Sequence, residues 1–538
     1  LDQKNLSNLP LPCEIYLPRQ NSNGLDFSEP EFINSVAKNL EVFKNNRITA
    51  LSITSLELGS TDKSDILSLC DESNIGMVHW SDPDSIHHSS FQISTEWMNT
   101  SFDQRAAVLN DVANSLESQS WQFIYLLMHE AGKTIQDAHD EIREAVDFLR
   151  YYANRSALFN SQSTQSGPTG EDNILEYCPK GLVACISPWN FPLAITLGQI
   201  AAALVTGNTV IAKASEETSL IAFKAVGLFF NHGLPKDALH LLLGDGRVGQ
   251  AIITSQALDL VVFTGSLKTA KSIHNNLSNK SGKIVPLIAE TGGLNSMVVD
   301  SSALIERACD DIMRSAFNSA GQRCSALRLL LVHETIYEEL ILMLKGMMSE
   351  LIIGNPSNSS VDMGPIISVE AAQELYDYIN RSDPERLAIF QPQAPHEHRK
   401  QWFLPALIEL KSINTLNEEK FGPILHVLKF SEKTLDSHLE QITAKGFGLT
   451  FGIHTRIDAK AIHASKLVSA GNTYINRDII GAVVESQPFG GKNLSGTGFK
   501  AGGPNYLMQF TDERTISINT VAIGGNAELL NQASEDAP

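Results

Sequence analysis

The sequence predicts an α/β protein organised around a doubly wound parallel sheet, and three observations predict it. Between residues 182 and 289, short and almost continuously apolar runs alternate with helical stretches. That is the pattern of strands covered on both faces by crossover helices. A second block of the same texture begins near Gly292 and runs to about residue 490. With 538 residues, 43% of them apolar, the chain has material for about three units of roughly 150 residues each.

Taken in order, residues 1–35 are rich in Pro, Asn and Ser and lack periodicity, so an extended arm or linker is expected. A helical block follows. From Ala131 to Tyr152 the residues Ile135, Ala138, Ile142, Ala145, Val146, Leu149 and Tyr152 recur at three- and four-residue spacing. This makes one buried face, with the charged residues expected to solvate the other. Residues 157–171 are polar and turn-rich and read as a connector. Strands are then expected at 182–187, 209–212, 239–243, 260–263 and 284–289, and helices at 194–206, 219–231, 247–255 and 267–277. Ligands of such sheets sit beyond the carboxyl ends of the strands. A Gly-rich loop, a last strand at 514–519 and a polar tail complete the chain.

Composition excludes several classes. The 41 Lys and Arg against 61 Asp and Glu give a net charge of −20, and no run concentrates basic residues. A nucleic-acid binder is therefore not expected. The six cysteines (Cys13, Cys70, Cys178, Cys185, Cys309, Cys324) show no C-x-x-C spacing. This argues against a zinc knuckle or dense disulfide framework and for a reducing, cytoplasmic setting. The most apolar stretch, Gly181 to Ala212, is interrupted by Pro188, Asn190, Pro192, Gln199 and Asn208, and the first thirty residues lack a basic start and an apolar core. Neither a membrane span nor a signal peptide is expected. Leu1 in place of Met points to a piece of a longer chain or a processed one. His87-His88 and His396-Glu397-His398 lie in polar stretches and are expected to be solvated loops rather than metal ligands.

Five segments carry residue types suited to chemistry. Gly244-Asp245-Gly246-Arg247-Val248-Gly249 is a literal G-x-G-x-x-G after a candidate strand, without a clear acidic partner about twenty residues on. Phe263-Thr264-Gly265-Ser266 competes with it, because a strand there delivers Gly and Ser to a helix N-terminus able to hold an anion. Ala316 to Arg328 places Cys324 among small residues and beside Arg323, whose charge would favour a reactive thiolate. Glu290, in Ala289-Glu290-Thr291-Gly292-Gly293, ends the last strand of the first block, and Asn190, held between Pro188 and Pro192, offers a rigid amide to a developing oxyanion.

In order, PWNFP, Lys213-Ala214-Ser215-Glu216, FTGS, ETGG, GQRCSA, Glu419-Lys420-Phe421-Gly422-Pro423 and Pro488-Phe489-Gly490-Gly491 resemble the NAD(P)-dependent aldehyde dehydrogenase superfamily. GQRCSALR, ETGG, LSGTG with KAGGPNYL, and REAVDFLRYYA are similar to its glutamate-γ-semialdehyde (pyrroline-5-carboxylate) dehydrogenases, the half of that kind in bifunctional proline-utilization proteins. The resemblance implies a Rossmann-type NAD-binding domain (36–160 and 180–291), an α/β catalytic domain (292–504), a β oligomerisation flap (161–179 and 505–521) and a C-terminal tail (522–538). It implies Cys324 as nucleophile, Asn190 as oxyanion donor and Glu290 as base. NAD would be held by Lys213 and Glu216 at the adenosine ribose, Gly265 and Ser266 at the pyrophosphate, Glu419 and Phe421 at the nicotinamide end, with Ile186 and Trp189 lining the channel. GDGRVG becomes a turn near the adenine. The substrate would meet Phe191, Ser325 and a loop at Ser495, Gly496 and Thr497. Ala214 and Phe499 depart from the family pattern, where Pro is expected. No metal is implied, a homodimer or higher homo-oligomer is, and the parent protein would carry a flavin-dependent proline dehydrogenase half. Three alternatives stay open: a dehydrogenase of another semialdehyde, a silent scaffold, and a Cys-dependent acyl hydrolase, which the nucleotide-contact set argues against.

Overall fold

The computed structural model describes residues 10–11, 14–25, 27, 29–159, 163–393, 399–520 and 522. His396-Glu397-His398 and nearly all of the tail lie outside the described residues. Near the N-terminus, β1 (Ile48–Ala50), β2 (Ser60–Leu67) and β3 (Asn74–Ser81) form a small mixed sheet in the order β1-β3-β2. β4 (Ser163–Gln165) and β5 (Glu171–Pro179) belong to a protruding antiparallel sheet that a C-terminal strand completes. The expected connector at 157–171 is thus partly strand.

The first main sheet holds β6 (Leu182–Ile186), β7 (Thr209–Lys213), β8 (Leu239–Leu241), β9 (Leu260–Gly265) and β10 (Leu287–Thr291), all parallel, in the order β10-β9-β6-β7-β8. Between them run helices Ala194–Val205, Ser219–Asn231, Gly246–Ser255 and Leu267–Asn279, within two residues of the expected bounds. Only the last strand shifts: 284–289 is expected and Leu287–Thr291 is found, with Ile284 97% exposed. Pro286 has no N–H to give the ladder, so pairing starts after it.

The second sheet contains β11 (Ser296–Val299), β12 (Leu329–His333), β13 (Arg386–Phe390), β14 (Ala406–Leu410), β15 (Ile424–Phe430), then, past the short β16 (Phe447–Gly448), β17 (Thr450–His454) and β18 (Asn472–Ile475). Its order is β13-β14-β15-β12-β11-β17-β18, parallel except at β13. The short β19 (Lys492–Asn493) pairs with β16, and β20 (Thr511–Asn519) runs antiparallel to β5 along its full length.

Three expectations in the N-terminal half need correction. The helix expected from Ala131 is two helices, Ser120–Ala131 and Ile135–Arg155, separated where Gly132 takes φ 67° and Thr134 accepts from the Asp137 N–H. A left-handed glycine followed by a fresh cap ends one helix and starts another. The charged side of helix Ile135–Arg155 is not solvated either. Asp137, Glu141 and Arg150 are buried and paired with Arg323, Lys133 and Glu117. Nor are the described residues of the arm loose: Arg19 and Ser22 bond Asp147, the Leu25 N–H donates to His139, and helix Pro30–Glu41 crosses the expected boundary at residue 35.

Candidate active site

In the first sheet the chain leaves β6 toward β7 on one side and later returns to β9 on the other. Loops after β6 and β9 therefore diverge and leave a crevice at the carboxyl edge. A cavity of about 900 Å³ opens there and runs toward the second sheet. The loop after β6 supplies Trp189, Asn190 and Phe191, β9 supplies Gly265 with Ser266, and β10 supplies Glu290. From the other side come Cys324, Ser325, Glu419 and Phe421. Residues far apart in sequence thus meet in one space, whereas Lys213 and Glu216 are not among those that line it.

The segment leading to Cys324 is held in an unusual backbone state. Ser319, Ala320 and Gly321 follow one another at φ 54°, 55° and 64°. A left-handed non-glycine residue costs on the order of 1–2 kcal/mol, so surrounding contacts must hold it. At Gly321 an added Cβ would meet the Gly422 carbonyl oxygen at 2.4 Å, so this position takes only glycine. Arg328 supplies much of the hold: fully buried, it donates to the carbonyls of Gly321 (2.9 Å), Gly422 (2.9 Å) and Arg323 (3.1 Å) and to Glu419 Oε1 (3.0 Å). Asn295 completes it, its Nδ2 donating to the Cys324 and Ala326 carbonyls while its Oδ1 accepts from the Thr450 N–H. Neither residue has a role in the sequence-based site. An Arg inside the apolar run Ala326 to Leu331 was the available signal, because a buried guanidinium must be paired. Replacing Arg328 by Met is expected to destabilise the protein by about 3–5 kcal/mol, since Glu419 stays buried without its partner. Denaturant unfolding of the two proteins measures it.

Asn190 Nδ2 donates to the Gln322 carbonyl at 3.1 Å. An amide nitrogen has two hydrogens, so one remains for an oxyanion beside Cys324. Glu290 Oε2 accepts from the Gly491 N–H at 3.1 Å. An added Cβ at Gly490 would lie 2.8 Å from its Oε1, and one at Gly496 3.0 Å from its Oε2. The PFGG motif is therefore the glycine seat of the Glu290 carboxyl.

Electrostatics overturn one expectation. Arg323 does not lower the Cys324 thiol: it is spent on Asp137 at 2.8 Å and lies 5.3 Å from the Phe191 ring. Burial, then the carboxylates of Glu419, Glu290 and Glu144, push the thiol up to about 12, partly offset by the Ser325 N–H. Burial raises Glu290 to about 8, with the Gly491 N–H and Lys500 pulling the other way. Burial and the neighbouring Glu141 raise Glu144, a cavity-lining residue the sequence reading did not assign, to about 7. A neutral thiol thus stands among carboxyl groups of raised proton affinity, each of which can act as a base only in its ionised form.

The expected substrate loop is misplaced. Ser495 is 0% exposed with its hydroxyl accepting from the Gly448 N–H, and Thr497 Oγ1 donates to the Leu287 carbonyl and accepts from the Ala289 N–H. With Gly496 they brace β10 behind Glu290. Phe499 is half exposed and its N–H donates to Gln509. The cavity wall comes instead from Gly481, Ala482, Val484, Gln487 and Phe489. Ile186 is also core, 9% exposed among the residues packed on β9, rather than channel lining. Phe191 does reach the cavity, its ring within 4.2 Å of the Lys133 ammonium and 5.3 Å of the Arg323 guanidinium.

The site fits a dinucleotide. Ser266 caps helix Leu267–Asn279 by accepting from the Thr269 N–H, and Gly265 leaves the backbone open beside that N-terminus, where an added Cβ would strike Phe263 at 2.6 Å. Lys213 ends β7 and pairs with Glu216 at 3.0 Å. At the other end Phe421 meets Trp189 edge-on, ring centroids 5.6 Å apart. An added Cβ at Gly292 would come within 1.8 Å of Glu419 Oε2, so Gly292 keeps that carboxylate close. Gly244–Gly249 lies past β8 at the sheet edge, with Asp245 capping helix Gly246–Ser255. His87 ends a short helix capped by Asp82. Among the described residues no group of three metal-ligating side chains is found, and no helix is long and apolar enough to cross a membrane.

The sequence profile described as "Aldehyde dehydrogenase family" matches residues 65–516. The chain belongs to the aldehyde dehydrogenase family. Within the family it is 40% identical over 522 residues to Bifunctional protein PutA of Klebsiella aerogenes, covering 94% of this chain and 39% of that relative. It is 33% identical over 432 residues to 1-pyrroline-5-carboxylate dehydrogenase 1 of Halalkalibacterium halodurans, covering 78% of this chain and 82% of the relative. The chain thus spans about two fifths of the larger bifunctional relatives and most of the smaller dehydrogenases. A crystal structure of a point mutant of Bradyrhizobium japonicum Proline Utilization A superposes with a TM-score of 0.86 at 43% identity, over 96% of this chain and 50% of that one. A mutant 1-pyrroline-5-carboxylate dehydrogenase of Thermus thermophilus gives 0.87 at 26% identity, over 94% and 100%. The aldehyde dehydrogenase fold expected from the motifs is the fold found.

Proposed function

We propose that the chain oxidises L-glutamate γ-semialdehyde to L-glutamate with NAD. The convergence of Cys324, Asn190 and Glu290 on one cavity carries the reading, and the names of the similar dehydrogenases support the substrate. Cys324 sulfur adds to the aldehyde carbon and its proton passes to a nearby carboxylate. The free Asn190 N–H holds the resulting oxyanion. Lys213 and Glu216 would hold the adenosine ribose, Gly265 and Ser266 the pyrophosphate, Glu419 and Phe421 the nicotinamide end. NAD, when bound there, supplies a two-electron hydride acceptor, and the sulfur-bound carbon becomes a thioester. Glu290 then takes a proton from water, the water oxygen replaces sulfur at the carbon, and Cys324 is released with its proton restored. One aldehyde, one water and one NAD thus become one acid, one NADH and one proton beyond that of the ionising acid.

The substrate's charged end points toward Ser325 and the Gly481–Ala482 backbone, with Phe191 and Phe489 as walls and Glu144 facing its ammonium group. Glu216 favours NAD, since a carboxylate accepts from a 2′-hydroxyl and repels a 2′-phosphate. Replacing Glu216 by Ser is expected to narrow the NAD-over-NADP preference about tenfold or more in kcat/KM; an unchanged ratio removes Glu216 from the ribose site. The open edges of the β4-β5-β20 sheet support a homo-oligomer, and the bifunctional relatives support a proline dehydrogenase half in the parent protein.

NADH absorbance with glutamate semialdehyde, succinate semialdehyde and simple aliphatic aldehydes tests the substrate. Highest kcat/KM on glutamate semialdehyde is expected. Turnover only of the others discards the substrate assignment, and NAD binding without any turnover makes the chain a silent scaffold.

A further inference from the structure

The loop 481–489 that walls the cavity is tied to the rest of the protein by an unexpected partner. Arg19, in the N-terminal arm, is 5% exposed, far below what an arm or linker requires. Its Nε donates to Glu485 Oε2 at 3.0 Å and its Nη1 to Asp147 Oδ1 at 3.0 Å. Next to it, the Tyr16 hydroxyl bonds the Ser486 hydroxyl. Asp147 is fixed in turn by the Ser22 N–H and hydroxyl, both at 2.9 Å. Asp147 lies one helical turn beyond Glu144, which faces the cavity. A single planar guanidinium therefore joins the helix that carries Glu144 to the loop that carries Gly481, Ala482 and Phe489.

The loop needs such a tie. Glu485 sits at φ 76°, a state that side-chain-bearing residues hold only under outside constraint. The far end of the loop is held by the paired Phe489 and Ala501 backbones and by the Asn472 amide on the Pro488 carbonyl, whereas around Glu485 the backbone bonds are the Glu485 N–H to the Gly502 carbonyl and, within the loop itself, the Gln487 N–H to the Val483 carbonyl and the Val483 N–H to Gln487 Oε1. Val484 and Gln487, on either side of Glu485 and Ser486, line the cavity. Any shift of the Arg19–Glu485 pair therefore moves the wall.

We propose that the N-terminal arm is a working part of the substrate site, with Arg19 a positioning residue that sets the 481–489 loop against helix Ile135–Arg155 and so governs affinity for a carboxylate-bearing aldehyde. The inference rests on the proposed glutamate semialdehyde activity. Misplacing a binding wall weakens the substrate that reaches it and spares one that does not.

The test uses the full chain and the variants Arg19→Ala, Glu485→Ala and the double variant, assayed with glutamate semialdehyde and with propanal, which carries no carboxylate. KM for the semialdehyde is expected to rise about tenfold in each single variant, with kcat within about twofold. The double variant should be no worse than either single one, because both remove the same tie. The kcat/KM on propanal and the KM for NAD should stay unchanged, and Arg19→Lys should recover part of the loss. Equal losses on both aldehydes, or additive effects in the double variant, overturn the inference. If Arg19→Ala does not fold, Glu485→Ala decides, and an unchanged semialdehyde KM in it overturns the inference alone. Failure of the unsubstituted chain to oxidise the semialdehyde while it oxidises propanal overturns the substrate reading and the inference with it.

Discussion

Replacing Cys324 by Ala is expected to lower NADH formation by about a thousandfold or more, while NAD affinity stays within about twofold. Cys324 is the one cysteine among the described residues that line the cavity, and its sulfur is the proposed nucleophile. The cofactor contacts proposed at Lys213, Glu216 and Phe421 do not involve the thiol. Steady-state absorbance and a fluorescence titration with NAD separate the two effects. Residual turnover within tenfold of the parent would show that another group attacks the aldehyde. The fold should survive, because the loop is set by Arg328 and Asn295 through backbone carbonyls rather than through sulfur.

Glu290→Gln is expected to separate the two halves of the reaction. Acylation of Cys324 needs no base on water, so NADH should form in a burst of about one equivalent per site. Hydrolysis of the thioester should then be slower by roughly 10² to 10⁴. Rapid mixing shows both phases; a variant with full steady turnover would remove Glu290 from the base role. The pH dependence follows from the same burial. Glu290 is raised to about 8, so at neutral pH most of it carries a proton and cannot accept another. Where hydrolysis limits, kcat should climb from about pH 7 to 9 and level off above, and the Gln variant should lose that limb. The sign for stability is opposite. A carboxyl raised in the folded state favours folding below its ordinary range and loses that contribution as pH rises through about 8. The Gln variant should therefore unfold at a temperature equal to or above the parent's at pH 9.

Much of the site was legible because its chemistry is carried by local motifs. PWNFP, FTGS, ETGG and GQRCSA each set a side chain by its immediate neighbours: a proline-held turn, a capped helix, a strand end, a loop of small residues. The substrate loop was not legible in that way. Ser495 and Thr497 have the right residue types for a carboxylate, yet their hydroxyls are consumed by backbone groups of β10 and β16. Nothing in their spacing reveals those partners. The charges of helix Ile135–Arg155 misled for a related reason, since periodicity marks which face is apolar but not whether a second face is buried against ion-pair partners.

The sequence by itself determined the strand and helix succession, the family, and the motifs that bring Cys324, Asn190 and Glu290 to one cavity, because each depends on short-range patterning and on residue types that few neighbours can alter. Only the tertiary structure decided the charge around Cys324, the wall at 481–489 and the burial of Arg19. Those are properties of distance between groups far apart in the chain, Arg19 with Glu485 and Glu290 with Gly491. Such distances are set when packed layers close on one another and remove the water that would otherwise screen each charge alone.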